Sequence, residues 1–301
     1  MKVRGVLPLT RRELWLYGRD LLSTLSQPAL EARLLLQKAA GIDEKEFFLS
    51  LDQPVEEALV RRYEYFLRRR LKGWPLALVV GEKEFWSLPF KLQKGVFIPR
   101  PETECLVELA LKLPWPEDGI AVDIGTGCGA IACSLAKERP ASTVVATDIS
   151  RRALALAQKN ASRLGLKNII FRLGSFFSPL AQLDLTGRCD LIVSNPPYVA
   201  EEEWPRLPEG IRLFEPKRGL VAGPTGLEFI FRLIRDAPQF LRPGGYLIFE
   251  IGFDQLAKVL SVGNKKLWRE ITWEKDLAGI PRVMAWQLHP DFRCGTSPGL
   301  D

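Results

Sequence analysis

Histidine is almost missing from this chain: His289, beside Pro290 near the C-terminus, is the only one in 301 residues. Triads built on histidine, two-His zinc sites and His–carboxylate acid–base pairs therefore lack their parts. Cysteine is sparse as well. Cys105, Cys128, Cys133, Cys189 and Cys294 contain no Cys-x-x-Cys pair, and an odd count argues against a disulfide framework and for buried thiols. No apolar run approaches the ~18 residues that cross a bilayer, and Met1 to Leu14 carry charges where a secretion signal would be apolar. The expectation is a cytoplasmic chain with no membrane span. Internal repeats and low-complexity segments are absent too. What is present is an ordinary globular composition, 47% hydrophobic and 26% charged, with 42 Lys+Arg against 36 Asp+Glu for a net charge of +6. A chain of this length has room for two modest domains.

Residues 1–72 read as a helical domain. Arg11–Leu25, Pro28–Ala40, Asp43–Leu51 and Pro54–Leu71 carry apolar residues three and four apart, with prolines opening two helices and Gly41 closing one. Between 61 and 72 six basic residues face only Glu64, which suits either a solvated helix face or a patch for a polyanion. Residues 73–98 read as a hairpin linker of short strands over Leu76–Val80, Glu84–Trp86 and Phe90–Phe97. Residues 99–289 then alternate. A helix over Thr103–Leu113 precedes strands at Ile120–Ile124, Thr143–Thr147, Asn168–Leu173 and Leu191–Ser194, interleaved with helices at Ala130–Lys137 and Arg151–Leu164. Further on come a helix at Gly226–Leu241, a strand at Tyr246–Ile251 and two edge strands at Trp268–Trp273 and Val283–Leu288. Such alternation predicts an α/β, doubly wound parallel sheet. Residues 290–301 read as a flexible tail.

Three places carry chemistry. The first strand runs into Asp123-Ile124-Gly125-Thr126-Gly127-Cys128-Gly129 and then a helix, where such sheets bind nucleotide-like ligands. The spacing is neither that of dinucleotide enzymes nor a P-loop. The carboxylate of Asp123 would repel a pyrophosphate but suits a ligand with a positive centre, such as S-adenosylmethionine. Asp148 ends the next strand, where an acid accepts ribose hydroxyls or simply caps the following helix. The third place is Asn195-Pro196-Pro197-Tyr198, at the carboxyl end of a buried strand. Prolines fix the backbone and leave carbonyls free to accept, and the Asn side chain adds an acceptor. Two acceptors close together grip an NH₂ group, and Tyr198 offers a flat wall for a planar amide or base. Held so, a poor nitrogen nucleophile is aimed at a methyl donor without a strong base.

On these residues the chain resembles the HemK/PrmC family of N5-glutamine methyltransferases that modify peptide chain release factors. The likeness runs from about residue 10 to 288 and includes Phe97-Ile98-Pro99-Arg100-Pro101-Glu102-Thr103-Glu104, Glu215-Pro216, Glu250-Ile251-Gly252 and Asp276-Leu277-Ala278-Gly279. It implies a class I (Rossmann-like, seven-stranded) S-adenosylmethionine-dependent methyltransferase domain, with the small N-terminal helical domain docking a release factor. Residue by residue, it implies that Asp123, Gly125, Thr126, Gly127, Cys128, Gly129 and Asp148 hold the cofactor, with Phe176 beside the adenine. Asn195 would touch cofactor and glutamine, and Pro196, Pro197 and Tyr198 would complete the amide pocket. Arg100, Glu102 and Glu104 suit either helix-end electrostatics or closure over the site. Ser175, Gly219 and Thr225 depart from the commoner family residues. Two other readings remain. An adenine-N6 DNA methyltransferase shares the Asn-Pro-Pro-Tyr motif, but no target-reading domain follows the catalytic strand, so nucleic acid is not the expected substrate. A non-catalytic RNA-binding module would not need Asp123, Asp148 and Asn195 together.

Overall fold

The computed structural model describes residues 9–292, which divide into two compact units. Cys294 and residues 293–301 of the expected tail lie outside the described residues.

The first unit runs through Glu82 and includes Glu209–Phe214. Its helices are α1 (Arg11–Leu21), α2 (Pro28–Ala40), α3 (Glu44–Leu49), α4 (Glu57–Leu71) and α5 (Leu76–Val80). Thr10 and Glu13 form a reciprocal cap on α1, and Gly41, at φ 73°, ends α2. Leu14, Leu35, Leu36, Phe47, Tyr63 and Leu67 are fully buried together. Leu76–Val80, expected as a strand, is helical. Five apolar residues do not distinguish the two by period, and Gly81 in the left-handed region closes a helical turn. The expected boundary at residue 72 therefore moves past α5, because Val79 packs in this core. Much of the basic run is occupied: Arg70 pairs with Glu31, Arg69 lies 3.7 Å from the Trp74 ring, and Arg61 and Arg68 pair with Glu57 and Glu64 one turn earlier.

Gly18 sits in the middle of α1 although glycine weakens helices. A Cβ there would stand 1.8 Å from the Tyr63 hydroxyl, which is itself committed to the Ala32 carbonyl at 3.0 Å. Gly18→Ala should thus lower stability by about 1–3 kcal/mol despite its better helix propensity. Thermal unfolding of the full chain checks this, and the loss should shrink in a Tyr63→Ala background.

The second unit starts at Lys83, within the hairpin of β1 (Glu82–Phe85) and β2 (Leu88–Lys91); β2 stops at Lys91 and a turn over Gln93–Val96 follows, where a strand over Phe90–Phe97 was expected. After α6 (Glu104–Lys112) come β3 (Ile120–Ile124), α7 (Ala130–Glu138), β4 (Thr143–Asp148), α8 (Arg151–Arg163), β5 (Ile169–Leu173), α9 (Ser178–Gln182) and β6 (Cys189–Ser194). A small parallel pair, β7 (Val199–Ala200) and β8 (Val221–Gly223), brackets α10 (Glu209–Phe214) in sequence. Then follow α11 (Glu228–Asp236), β9 (Leu241–Glu250), α12 (Leu256–Ser261), β10 (Trp268–Lys275) and β11 (Pro281–Leu288). The seven-stranded sheet has the order β10-β11-β9-β6-β3-β4-β5, with β11 antiparallel to both neighbours. Alternate residues feed two cores: Ala121, Leu191 and Ile248 on one face, Val122, Ile192 and Leu247 on the other. The strand expected over Tyr246–Ile251 starts earlier, at Leu241, and takes in Pro243-Gly244-Gly245, where the register with β6 shifts.

Candidate active site

Strand order reverses between β3 and β6, so their carboxyl ends open the crevice in which doubly wound sheets bind ligands. Ser194 Oγ donates to the Ile124 carbonyl at 2.8 Å and ties the two strand ends together. Beyond β3 the backbone N–H groups of Gly125 and Thr126 both donate to the Thr147 carbonyl at 2.9 Å, which turns the loop under the crevice. Gly125 and Gly127 have φ of 78° and 59°, and a Cβ on either would meet nothing within 4 Å. Gly129, at φ 88°, serves packing instead, letting the start of α7 approach Ala157, 3.0 Å from where a Cβ would stand.

The acids divide the work. Asp123 is fully buried, and its Oδ2 accepts from Thr126 Oγ1 at 2.6 Å and from the Ala132 N–H at 3.2 Å. Oδ1 has no hydrogen-bond partner among the described residues, and burial pushes the carboxyl up to about 7. Asp148 accepts from the Gly127 N–H at 2.9 Å and the Ser150 N–H at 2.8 Å, while burial raises its carboxyl above the ordinary range. Each of its oxygens retains a lone pair for a ligand hydroxyl.

A cleft of about 820 Å³ runs along this edge. Gly125, Gly127, Asp148, Phe176, Asn195, Pro196 and Pro197 line it. Of the residues expected to contact cofactor or substrate, Asp123, Thr126, Cys128, Gly129 and Tyr198 do not. Asp123 is buried beneath the glycine loop, and Thr126, Cys128 and Gly129 are the loop positions that anchor it to the fold. Tyr198 turns its hydroxyl to Glu250 Oε1 at 3.2 Å, while its backbone N–H donates to the Leu220 carbonyl. Phe176 stands at φ 50°, a conformation non-glycine residues seldom adopt. It is stacked on Phe229 with centroids 4.0 Å apart and capped by the Arg232 guanidinium at 3.9 Å. Cys128 and Cys189 are buried, which pushes each thiol up to about 12 and leaves them poor nucleophiles.

Both halves of this architecture have relatives. Residues 10–81 match the PrmC N-terminal domain and residues 89–207 the methyltransferase small domain. A release factor glutamine methyltransferase of Vibrio cholerae is 44% identical over 260 residues, covering 86% of this chain and 90% of that protein. The chain belongs to the release factor glutamine methyltransferase family. A second member, from Coxiella burnetii, is 39% identical over 267 residues, covering 87% of this chain and 93% of its own. Among solved structures the catalytic domain of hMettl16 shares the fold, with a TM-score of 0.52 at 19% identity over 69% of this chain and 78% of that one.

Several contacts that shape the site join residues far apart in the sequence. Glu215, buried, accepts from the Ile98 N–H at 3.1 Å and pairs with Arg100 at 2.5 Å; Phe97 of the same segment lines the cleft. Glu104 accepts from the Trp86 N–H at 2.9 Å, and Lys83 donates to the Pro99 carbonyl at 2.7 Å. The Pro-Arg-Pro-Glu segment is thus pinned as a wall rather than left free to swing, and Glu102 is exposed. Asn160 bridges β2 and the loop, exchanging bonds with Lys91 and donating to the Cys128 carbonyl at 2.9 Å. Arg218 and Phe229, neither singled out from the sequence, line the cleft beside Asp148 and Phe176. Ser175 and Gly219 line it too, whereas Thr225 donates its backbone N–H to Glu228 Oε1 at 2.8 Å, just before α11.

Proposed function

We propose that this chain transfers a methyl group from S-adenosylmethionine to the side-chain amide nitrogen of the glutamine in the Gly-Gly-Gln loop of peptide chain release factors. The observation that carries the reading is one continuous cleft walled at one place by an open glycine loop and Asp148 and at another by Asn195-Pro196-Pro197.

The residues fit the cofactor. Gly125 and Gly127 leave open the space that a Cβ would fill, so a ligand can lie against the loop backbone. Asp148 would accept from the ribose hydroxyls, and Phe176, its ring held by Phe229 and Arg232, would lie beside the adenine. When bound, S-adenosylmethionine supplies an electrophilic methyl carbon on a sulfonium. The work left to the protein is to bind, orient and desolvate a carboxamide whose lone pair is delocalised. Asn195 Oδ1 and the Pro196 carbonyl would accept the two amide N–H bonds, fix the plane of the amide and stabilise positive charge growing on nitrogen. The surplus proton leaves after transfer, so no strong base is needed. This agrees with a chain whose one histidine, His289, hydrogen-bonds through its own backbone N–H to the Leu267 carbonyl on the far edge strands. Support for the substrate comes from the names of the relatives, which match through the helical unit as well as the sheet unit.

Incubating the protein with labelled cofactor and intact release factor, followed by peptide mapping, should place one methyl group on the Gly-Gly-Gln glutamine. Duplex oligonucleotides rich in adenine should stay unlabelled. Label on the DNA and none on the release factor would overturn the proposal in favour of an adenine methyltransferase.

A further inference from the structure

Asn195 is oriented by two buried side chains that lie far from it in sequence. Its Nδ2 donates to Thr103 Oγ1 at 2.9 Å, and Thr103 Oγ1 donates to Glu250 Oε2 at 2.7 Å. Thr103 is 3% exposed and Glu250 1% exposed, so water does not compete for either bond. A threonine hydroxyl has one hydrogen, and an ionised carboxylate only accepts. The hydrogen therefore goes to Glu250, and Oγ1 can only accept from Asn195. That choice turns the Asn195 NH₂ group toward Thr103 and leaves Oδ1 for a ligand in the cleft. Tyr198 completes the arrangement by donating to the other carboxylate oxygen at 3.2 Å.

We propose that Thr103 and Glu250 form a positioning relay that fixes the polarity of Asn195, so that it meets the substrate carboxamide as an acceptor and never as a donor. The proposal deepens the amide-methylation reading above and rests on it.

Glu250 is a charge held in an unfavourable place. Burial is the largest influence and pushes its carboxyl up to about 7, Glu102 adds repulsion, and Arg282 on β11 with the hydroxyls of Thr103 and Tyr198 favours the ionised form. Cys105 on α6 also feels the Glu250 charge, and Arg282 is shared with Asp276, which it meets at 3.2 Å. Once protonated, Glu250 becomes a donor. Thr103 can then accept from it and donate to Asn195 Oδ1, the amide turns over, and an NH₂ group faces the substrate NH₂. Turnover should therefore fall as pH drops through about 7. Stability runs the other way. The folded chain holds this proton more tightly than the unfolded one, so the stabilisation is full below the ordinary carboxylate range and is lost as pH rises through about 7. A carboxylate kept here for stability alone would be replaced to advantage by a neutral group, whereas one kept to set hydrogen-bond direction would not.

The test uses full-length wild-type, Thr103→Ser, Thr103→Val and Glu250→Gln proteins with intact release factor. Turnover is followed across the range about pH 5.5 to 8.5, cofactor affinity by calorimetry, and the Asn195 side-chain NH₂ signal by NMR of asparagine-labelled protein without substrate. Thr103→Ser should keep turnover within about 3-fold, and Thr103→Val should lose about 10²-fold in kcat with cofactor affinity unchanged. Wild type should show an acid limb near 7 that Glu250→Gln lacks, and the Asn195 signal should titrate in wild type with the same midpoint but not in Glu250→Gln. Wild-type kcat in Thr103→Val, an acid limb that persists in Glu250→Gln, or an Asn195 signal that does not titrate would each overturn the relay. Should Thr103→Val fail to fold, Glu250→Gln and the NMR titration still decide. A wild-type enzyme that leaves release factor unmethylated defeats the functional reading instead, and the NMR titration then decides the relay by itself.

Discussion

Asn195→Ala is expected to slow methyl transfer by about 10³-fold while cofactor affinity falls only a few-fold. The side chain stands at the carboxyl end of β6, where Ser194 locks that strand to β3 and Thr103 holds the amide by its NH₂ group. Alanine would remove the proposed acceptor for the substrate N–H but leave Gly125, Gly127 and Asp148 in place. The loss should appear in kcat, because an acceptor that grows stronger as nitrogen becomes positive acts mainly in the transition state. Single-turnover rates at saturating cofactor, set beside calorimetric titration of the cofactor, separate the two quantities. Turnover within a few-fold of wild type would remove Asn195 from the chemistry.

Asp148→Ala should show the reverse pattern. Two contributions would go at once: the proposed acceptors for the ribose hydroxyls, and the clamp on the Gly127 N–H that shapes the glycine loop. Hydrogen bonds to a charged group contribute roughly 1.5–3 kcal/mol each, so cofactor affinity should fall by about 10²-fold or more. At a cofactor concentration high enough to refill the site, kcat should return to within a few-fold of wild type. The same calorimetric titration checks the first statement and a cofactor saturation curve the second. An unchanged dissociation constant would leave Asp148 as a cap for α8, the alternative that its position at a strand end also allows.

What the sequence reveals about this site is what is local in it. The glycine loop and Asn-Pro-Pro-Tyr are runs of adjacent residues, and each follows a strand whose apolar pattern is plain, so both chemistry and placement can be read from a few positions. The alternating elements of the second unit are legible for the same reason. The walls that hold these motifs are not. Glu215 reaches Arg100 across 115 positions, and Glu250 reaches Thr103 across 147. Nothing within ten residues of Thr103 distinguishes a hydroxyl that carries hydrogen-bond direction from one that starts a helix. Leu76–Val80 fails for a different reason: it is too short for its period to speak, and packing against the helical core decides its form. Asp123 and Thr126 show a third limit. Their place in the glycine motif suggests contact with the ligand, but the strand geometry turns the carboxylate inward, where it ties the loop to α7.

On the mechanism proposed above, two protein oxygens would grip the amide to be methylated. A high-resolution structure with S-adenosylhomocysteine and a release-factor fragment bearing the Gly-Gly-Gln loop tests it most directly. The glutamine amide nitrogen should lie within hydrogen-bonding range, about 2.7–3.2 Å, of both Asn195 Oδ1 and the Pro196 carbonyl oxygen. A glutamine bound away from Asn195, or one facing its Nδ2, would contradict it.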